Sequence, residues 1–254
     1  LALVDRLVYA IGDIHGRADL LARLLDQIRA DRARQAPGAE PTLAIFLGDY
    51  VDRGPQSRQV IDLLLEFRRD PAFESRFLLG NHEDTMLDYL DGQVSGLGWS
   101  RHGGAATLQS YGVAPPAEES RAAWSARRKA LVAAVPPEHR AFLEGLELTI
   151  SLGQILFVHA GIRPGVALDQ QSKRDLLWIR REFLEAERTD PWLVVHGHTP
   201  KGEAYGAPGR LCLDSGGYIS GRLTAASFCG DTVRLIETGR PEPRIFPAQL
   251  ANAA

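Results

Sequence analysis

Residues 43–54 read LAIFLGDYVDRG. Five apolar residues, long enough for a buried strand, run into a glycine, and Asp49, Asp52 and Arg53 follow at once. Unpaired carboxylates are costly at the edge of a core, so two of them with an arginine need a reason. The same punctuation returns in VYAIGDIHG (8–16), RFLLGNHE (76–83), ILFVHAG (155–161) and WLVVHGHTP (192–200), each an apolar run ended by polar residues beside glycine. In open α/β sheets, sites assemble beyond the carboxyl ends of the strands. One such end would mean little. Together the five supply Asp13, His15, Asp49, Asn81, His82, His159, His196 and His198, an inventory of metal ligands.

Around these ends the chain alternates strand and helix. Runs 7–11, 43–47 and 76–79 read as strands, and 18–31 and 57–69 carry helical spacing of apolar residues. That order predicts βαβ units and a mainly parallel sheet. Residues 90–137 are read as a helical insertion capping one end of the sheet. Strand signals return at 146–152, 154–161, 192–199, 210–217 and 222–228 and predict a second, more antiparallel sheet. Residues 238–254, rich in Pro, Gly and Arg, are read as an exposed arm. The expectation is one α/β domain over 1–254.

Composition adds bounds. With 254 residues, 44% hydrophobic and 24% charged, the chain resembles an average globular protein. A net charge of -3 gives no general pull toward nucleic acid or anionic membranes, and neither is expected as a partner. No apolar run approaches the roughly 20 residues that span a bilayer. Asp5 and Arg6 interrupt the first apolar stretch, so it is not read as a signal peptide. The two cysteines, Cys212 and Cys229, lie in apolar runs outside any CxxC pair and are expected to be reduced core residues. A reducing cytoplasm follows as the expected compartment.

Asp13 and His15 are two apart, so an extended backbone turns both to one side. Carboxylate and imidazole together suit Mn, Fe, Zn or Co better than Ca or Mg. No zinc-finger spacing, HExxH or EF-hand loop competes for the metal. Each residue alone has a plainer explanation: His15 a loop histidine, His159 a bonded core histidine, Asp13 a cap lying too far before the helix. The shared position at strand ends outweighs these. His102, His139 and His196 keep the plainer reading.

GDIHG, GDYVDRG, GNHE, HAG and GHTP, in this order, resemble the phosphoprotein phosphatases within the calcineurin-like metallophosphoesterases. LLWIR (176–180) and LDSGGYISGRLT (213–224) are similar to the bacterial and phage branch, and the motifs span roughly residues 10 to 225. The resemblance implies a sandwich of two mixed sheets flanked by helices. It also implies two divalent ions, manganese first, with Fe, Zn, Co or Ni as alternatives. Asp13 and His15 would bind one ion, Asp49 would bridge, and Asn81, His159 and His198 would complete the other. Ions about 3.5–4 Å apart lower the pKa of a shared water, which would attack phosphorus in line. His82 resembles the general acid, Asp52 its partner, and Arg53 and Arg180 the grip on the phosphoryl oxygens, with Arg181 a competitor for Arg180.

Pro200 stands where many broader relatives carry a second histidine, and Arg163 adds positive charge near HAG. The 90–137 stretch is unlike the eukaryotic phosphatases. The implied activity is hydrolysis of serine/threonine phosphoproteins, phosphopeptides and small phosphomonoesters. The main rival is a nucleotide phosphohydrolase, either a symmetrical diadenosine tetraphosphatase, a group that typically lacks the aspartate present here as Asp52, or another of that kind. CLDSGG (212–217) mimics a serine-protease motif without its histidine and aspartate setting. A non-catalytic module is disfavoured because every motif position is filled.

Overall fold

The computed structural model describes residues 4–36, 38, 40–187 and 191–246. The first half follows the expected alternation: β1 (Val4–Ile11), α1 (Ala18–Gln35), β2 (Thr42–Phe46), α2 (Ser57–Phe67) and β3 (Phe73–Phe77). These strands pair in parallel, Val8 opposite Leu43 and Thr42 opposite Phe73. All five residues of β2 are buried, as befits a strand covered on both faces. Then come α3 (Asn81–Asp91), α4 (Gly96–Trp99), a wide turn over 100–104, α5 (Ala105–Ser110), α6 (Arg121–Ala134) and α7 (Pro137–Glu144).

The second half comprises β4 (Thr149–Leu152), β5 (Ile155–Val158), α8 (Lys173–Trp178), α9 (Arg181–Leu184), β6 (Leu193–His196), β7 (Tyr205–Ala207), β8 (Arg210–Cys212), α10 (Gly217–Ser220), β9 (Thr224–Gly230), β10 (Thr232–Glu237) and β11 (Arg244–Phe246). One sheet runs β11-β10-β9-β1-β2-β3 and the other β4-β5-β6-β8-β7. Alternation along β1 explains the layers. Val8 and Ala10 face the other sheet, meeting Phe157, Val195 and Leu211. Tyr9 and Ile11 face the helices, in a core that α1, α2, α3 and α6 share. The outer face of the second sheet, with Leu156 and Val194, is covered by Leu176, Ile179 and Phe183. The fold is the α/β sandwich of two mixed sheets expected from the motifs.

Several expectations are corrected. The second sheet is parallel at its centre, β5–β6–β8, and antiparallel only at its edges. The run at 222–228 does not join it. As β9 it pairs with β1, and Ala226 and Phe228 alternate into the inter-sheet core. β3 starts before the expected run, and Leu78 leaves the ladder to bridge Glu147. β7 and β10 were not expected. Part of the anticipated exposed arm is β11, an edge strand on β10; residues 247–254 lie outside the described set. Cys212 is buried, but Cys229 is exposed where β9 runs past the core. The 90–137 stretch is helical and puts Trp124 and Leu131 into the helical core.

Candidate metal centre

The ends of β1, β2, β5 and β6 converge with the N-terminus of α3. Five non-glycine residues among those described have positive φ: His15 (48°), Asp49 (53°), Asp52 (70°), Arg53 (67°) and His198 (65°). All five were singled out from the sequence. Left-handed backbone is uncommon for such residues and clusters at functional sites.

His15 and His159 each have one ring nitrogen tied to a backbone carbonyl. His15 Nδ1 donates to the Val51 carbonyl at 3.0 Å and His159 Nδ1 to the Leu47 carbonyl at 2.8 Å. That fixes the tautomer and leaves Nε2 as a lone pair directed at the carboxylates, as for metal-ligating histidines. His15 Nε2 lies 3.5 Å from Asp49 Oδ2, and His159 Nε2 lies 3.4 Å from Asp49 Oδ1. Asn81 Oδ1 is met by His159 Nε2 at 3.0 Å and His198 Nδ1 at 2.9 Å. Two compact donor groups result, His15–Asp49–His82 and Asp49–His159–His198, sharing Asp49.

Asp13 sits beside these groups rather than within the first. Its Oδ2 accepts the backbone N–H of His198 at 2.9 Å. Gly197 is required there, because a Cβ would come within 1.8 Å of Asp13 Oδ1. Asp214 makes a strand-end turn, Oδ1 accepting from Gly216 N at 2.8 Å, and it brings a further buried carboxylate to the site. Its place in another strand-plus-glycine ending, RLCLDSGG, was the signal available.

Burial, then Asp214 and Asp49, push the Asp13 carboxyl well up, and burial lifts Asp214 to about 6. Burial also drives His15 down to about 3, so its imidazole is neutral at pH 7. Asp49 is pushed up by burial but held low by His159, His82, His15 and His198 around it. Asp13 Oδ1, His15 Nε2 and Asp214 Oδ2 are buried without a hydrogen-bond partner. Converging carboxylates and imidazole lone pairs without donors fit divalent cations.

Asn81 and His82 open α3, so their side chains diverge by about 100° around the helix. His82 nonetheless keeps its Nε2 3.9 Å from Asp49 Oδ2. Nδ1 donates to Asp52 Oδ2 at 2.8 Å. Burial lowers the imidazole, but Asp49 and Asp52 together raise it to about 8. Asp52 is fully buried and also accepts from Trp99 Nε1 at 2.9 Å and Thr107 Oγ1 at 2.6 Å. Both residues come from the 90–137 stretch, which thus braces the His82–Asp52 pair. No motif marked them.

Arg53 and Arg180 both turn inward. Arg53 Nη2 is 3.1 Å from His82 Nε2, and its guanidinium lies 4.7 Å over the Tyr218 ring. Arg180 Nε donates to His198 Nε2 at 3.1 Å, whereas Arg181 pairs with Glu185. Arg163 is committed to Asp175 at 2.6 Å. His196 stays outside both donor groups, its Nδ1 2.9 Å from the Gly197 carbonyl. His139 is held between Tyr111 and Asp62, and His102 bonds the Gly98 carbonyl.

Glu83, quoted in GNHE without a role, is the clasp of the β2 loop. Its carboxylate accepts the backbone N–H groups of Gly80, Asp49, Tyr50 and Val51 at 2.7–3.0 Å. Glu83→Gln sets an amide N–H₂ against those donors. One buried donor left unpaired costs about 1–3 kcal/mol. We expect a lower denaturation midpoint together with weaker metal binding, read by urea titration and elemental analysis. Unchanged values in both would remove Glu83 from this role.

Arginines that draw an anionic oxyacid into a cleft, beside carboxylates and imidazoles that hold cations, define a metallophosphoesterase. The sequence pattern of the calcineurin-like phosphoesterases matches residues 7–233, and the chain belongs to that family. Among curated relatives, the asymmetrical bis(5'-nucleosyl)-tetraphosphatase PrpE of Halalkalibacterium halodurans is 27% identical over 86% of this chain and 88% of that protein. The protein of the same name from Geobacillus thermodenitrificans is 26% identical, covering 91% and 94%. Of solved structures, a putative diadenosine tetraphosphatase aligns with TM-score 0.62 at 22% identity, covering 96% of each chain. A cold-active protein tyrosine phosphatase aligns with TM-score 0.64 at 17% identity, covering 99% and 81%. These two show the shared fold. The relatives' names side with a nucleotide substrate rather than the phosphoprotein expected from the motifs.

Proposed function

We propose that this chain hydrolyses the phosphoanhydride of dinucleoside tetraphosphates in a site loaded with two divalent ions. The observation that carries the reading is the match to tetraphosphatases over almost the whole chain. Asp52 speaks against a symmetrical enzyme, and these relatives are named asymmetrical. When bound, the ions supply Lewis acidity to the phosphoryl group and a water of lowered pKa. Asp13, His15, Asp49, Asn81, His159 and His198 hold them, and Asp214 adds a carboxylate nearby. Manganese is the first choice, then Fe, Zn, Co or Ni.

Arg53 and Arg180 orient the attacked phosphate. As the water oxygen bonds to phosphorus, the anhydride P–O bond breaks and the leaving nucleotide keeps the bonding pair. His82, protonated and oriented by Asp52, gives the departing oxygen its Nε2 proton. The family match over 7–233 supports treating the chain as one catalytic domain. The unpaired Cys212 and Cys229 agree with the cytoplasm.

A second reading rests on the His82–Asp52 pair. A proton donor held at 2.8 Å by a buried carboxylate serves best where the leaving group is an alkoxide, as in phosphoserine or phosphothreonine. Metal-reconstituted protein should be assayed side by side on diadenosine tetraphosphate and a phosphoserine peptide. We expect kcat/KM to favour the dinucleotide by at least about tenfold, or 1.4 kcal/mol. A preference for the peptide would replace the first reading with the second.

A further inference from the structure

The proposed catalytic cleft does not end at the metal ligands. Asp52, Asn81, His82, Thr85 and Trp99 line a pocket of about 220 Å³. Val94 and Ser95 form part of its wall and also line a neighbouring cavity of about 500 Å³. The larger cavity is bounded by Tyr89, Arg121, Trp124, Ser125 and Arg128. The two lie along one helix: His82, Thr85 and Tyr89 occupy a single face of α3, spanning about 10 Å at 1.5 Å per residue.

The lining is chemically particular. Trp124 is buried among Tyr89 and Gly96, and a Cβ on Gly96 would come within 2.4 Å of its ring. Its indole N–H is buried without an acceptor. Arg128 is anchored by Nη1 on the Leu90 carbonyl at 3.0 Å. Neither Arg128 nor Arg121 makes an ion pair among the described residues, while Glu119 on the rim faces Arg101 at 3.8 Å. An aromatic wall, hydroxyls and two guanidinium groups match a base, a ribose and phosphates.

We propose that this cavity is the subsite for the distal nucleotide of a dinucleoside polyphosphate. The base rests against the Trp124–Tyr89 wall, and the phosphates run past Arg121 and Ser95 toward His82. The inference rests on the tetraphosphatase reading and adds where that substrate's second nucleoside is held.

The test compares diadenosine tetraphosphate with p-nitrophenyl phosphate, which fills only the catalytic end. The variants are Arg121→Glu, which reverses a wall charge, and Ser125→Trp, which fills the cavity. Both positions are exposed on α6. Each variant is expected to raise KM for the tetraphosphate by at least about tenfold, the loss expected for a contact to a charged group. Turnover of p-nitrophenyl phosphate should stay within about twofold, since neither residue reaches the small pocket. Unchanged tetraphosphate kinetics in both variants, or equal losses on both substrates, overturn the subsite. If the parent protein cleaves p-nitrophenyl phosphate but not the tetraphosphate, the functional reading itself fails, and the subsite with it.

Discussion

Asp49→Asn is expected to emerge with far less bound metal than the parent protein and with activity lower by about two to four orders of magnitude. The size follows from what Asp49 faces. It is the one residue common to both donor groups, with His15 and His82 toward Oδ2 and His159 toward Oδ1. Removing one partner from a buried charge arrangement costs about 3–5 kcal/mol, and each 1.4 kcal/mol is about a tenfold change in affinity. Asparagine keeps the shape, so the backbone N–H of Asp49 can still reach Glu83 and the β2 loop can still form. Thermal unfolding of the metal-free protein should therefore change little. Elemental analysis after dialysis against limiting manganese is the deciding measurement; an unchanged metal-to-protein ratio would refute the bridging role.

Much of this centre was legible because its donor residues are written as strand endings. Apolar runs of four or five residues announce buried strands, and a polar residue placed directly after one has little choice about where to project. Asp13, His15, Asp49, His159 and His198 follow that rule, and the structure brings them together. Trp99 and Thr107 did not follow it. They reach Asp52 from 47 and 55 residues away, through helix packing that no local pattern encodes. Glu83 was hidden differently, since its four bonds go to backbone and need no particular partner residue. Sheet membership was the other loss. The run at 222–228 reads as a strand in isolation, but alternation alone cannot say which of two sheets it joins. Cys229 shows the same limit, because an apolar neighbourhood in sequence continued past the edge of the core in space.

His82→Asn should separate the chemistry of the leaving group from that of the metals. The substitution removes the proton carrier and its bond to Asp52 but none of the proposed metal ligands, so metal content is expected to match the parent. General acid catalysis contributes about 10²- to 10⁴-fold, and that loss should appear in kcat for an alkyl phosphate, whose alkoxide cannot leave unprotonated. p-Nitrophenyl phosphate, with a leaving group stable as an anion, should lose far less. Equal losses on the two esters would mean that His82 positions substrate, through the 3.1 Å contact with Arg53, instead of donating a proton. The tetraphosphate arm carries the most information. A nucleotide leaves as a phosphate whose oxygen is far more acidic than an alcohol, so a tetraphosphatase needs its acid less than a monoesterase does. A tetraphosphate loss close to that for the alkyl phosphate would show His82 and Asp52 working on the dinucleotide. A loss no larger than for p-nitrophenyl phosphate would assign the pair to monoester chemistry, and with it the reason for a second carboxylate in GDYVDRG.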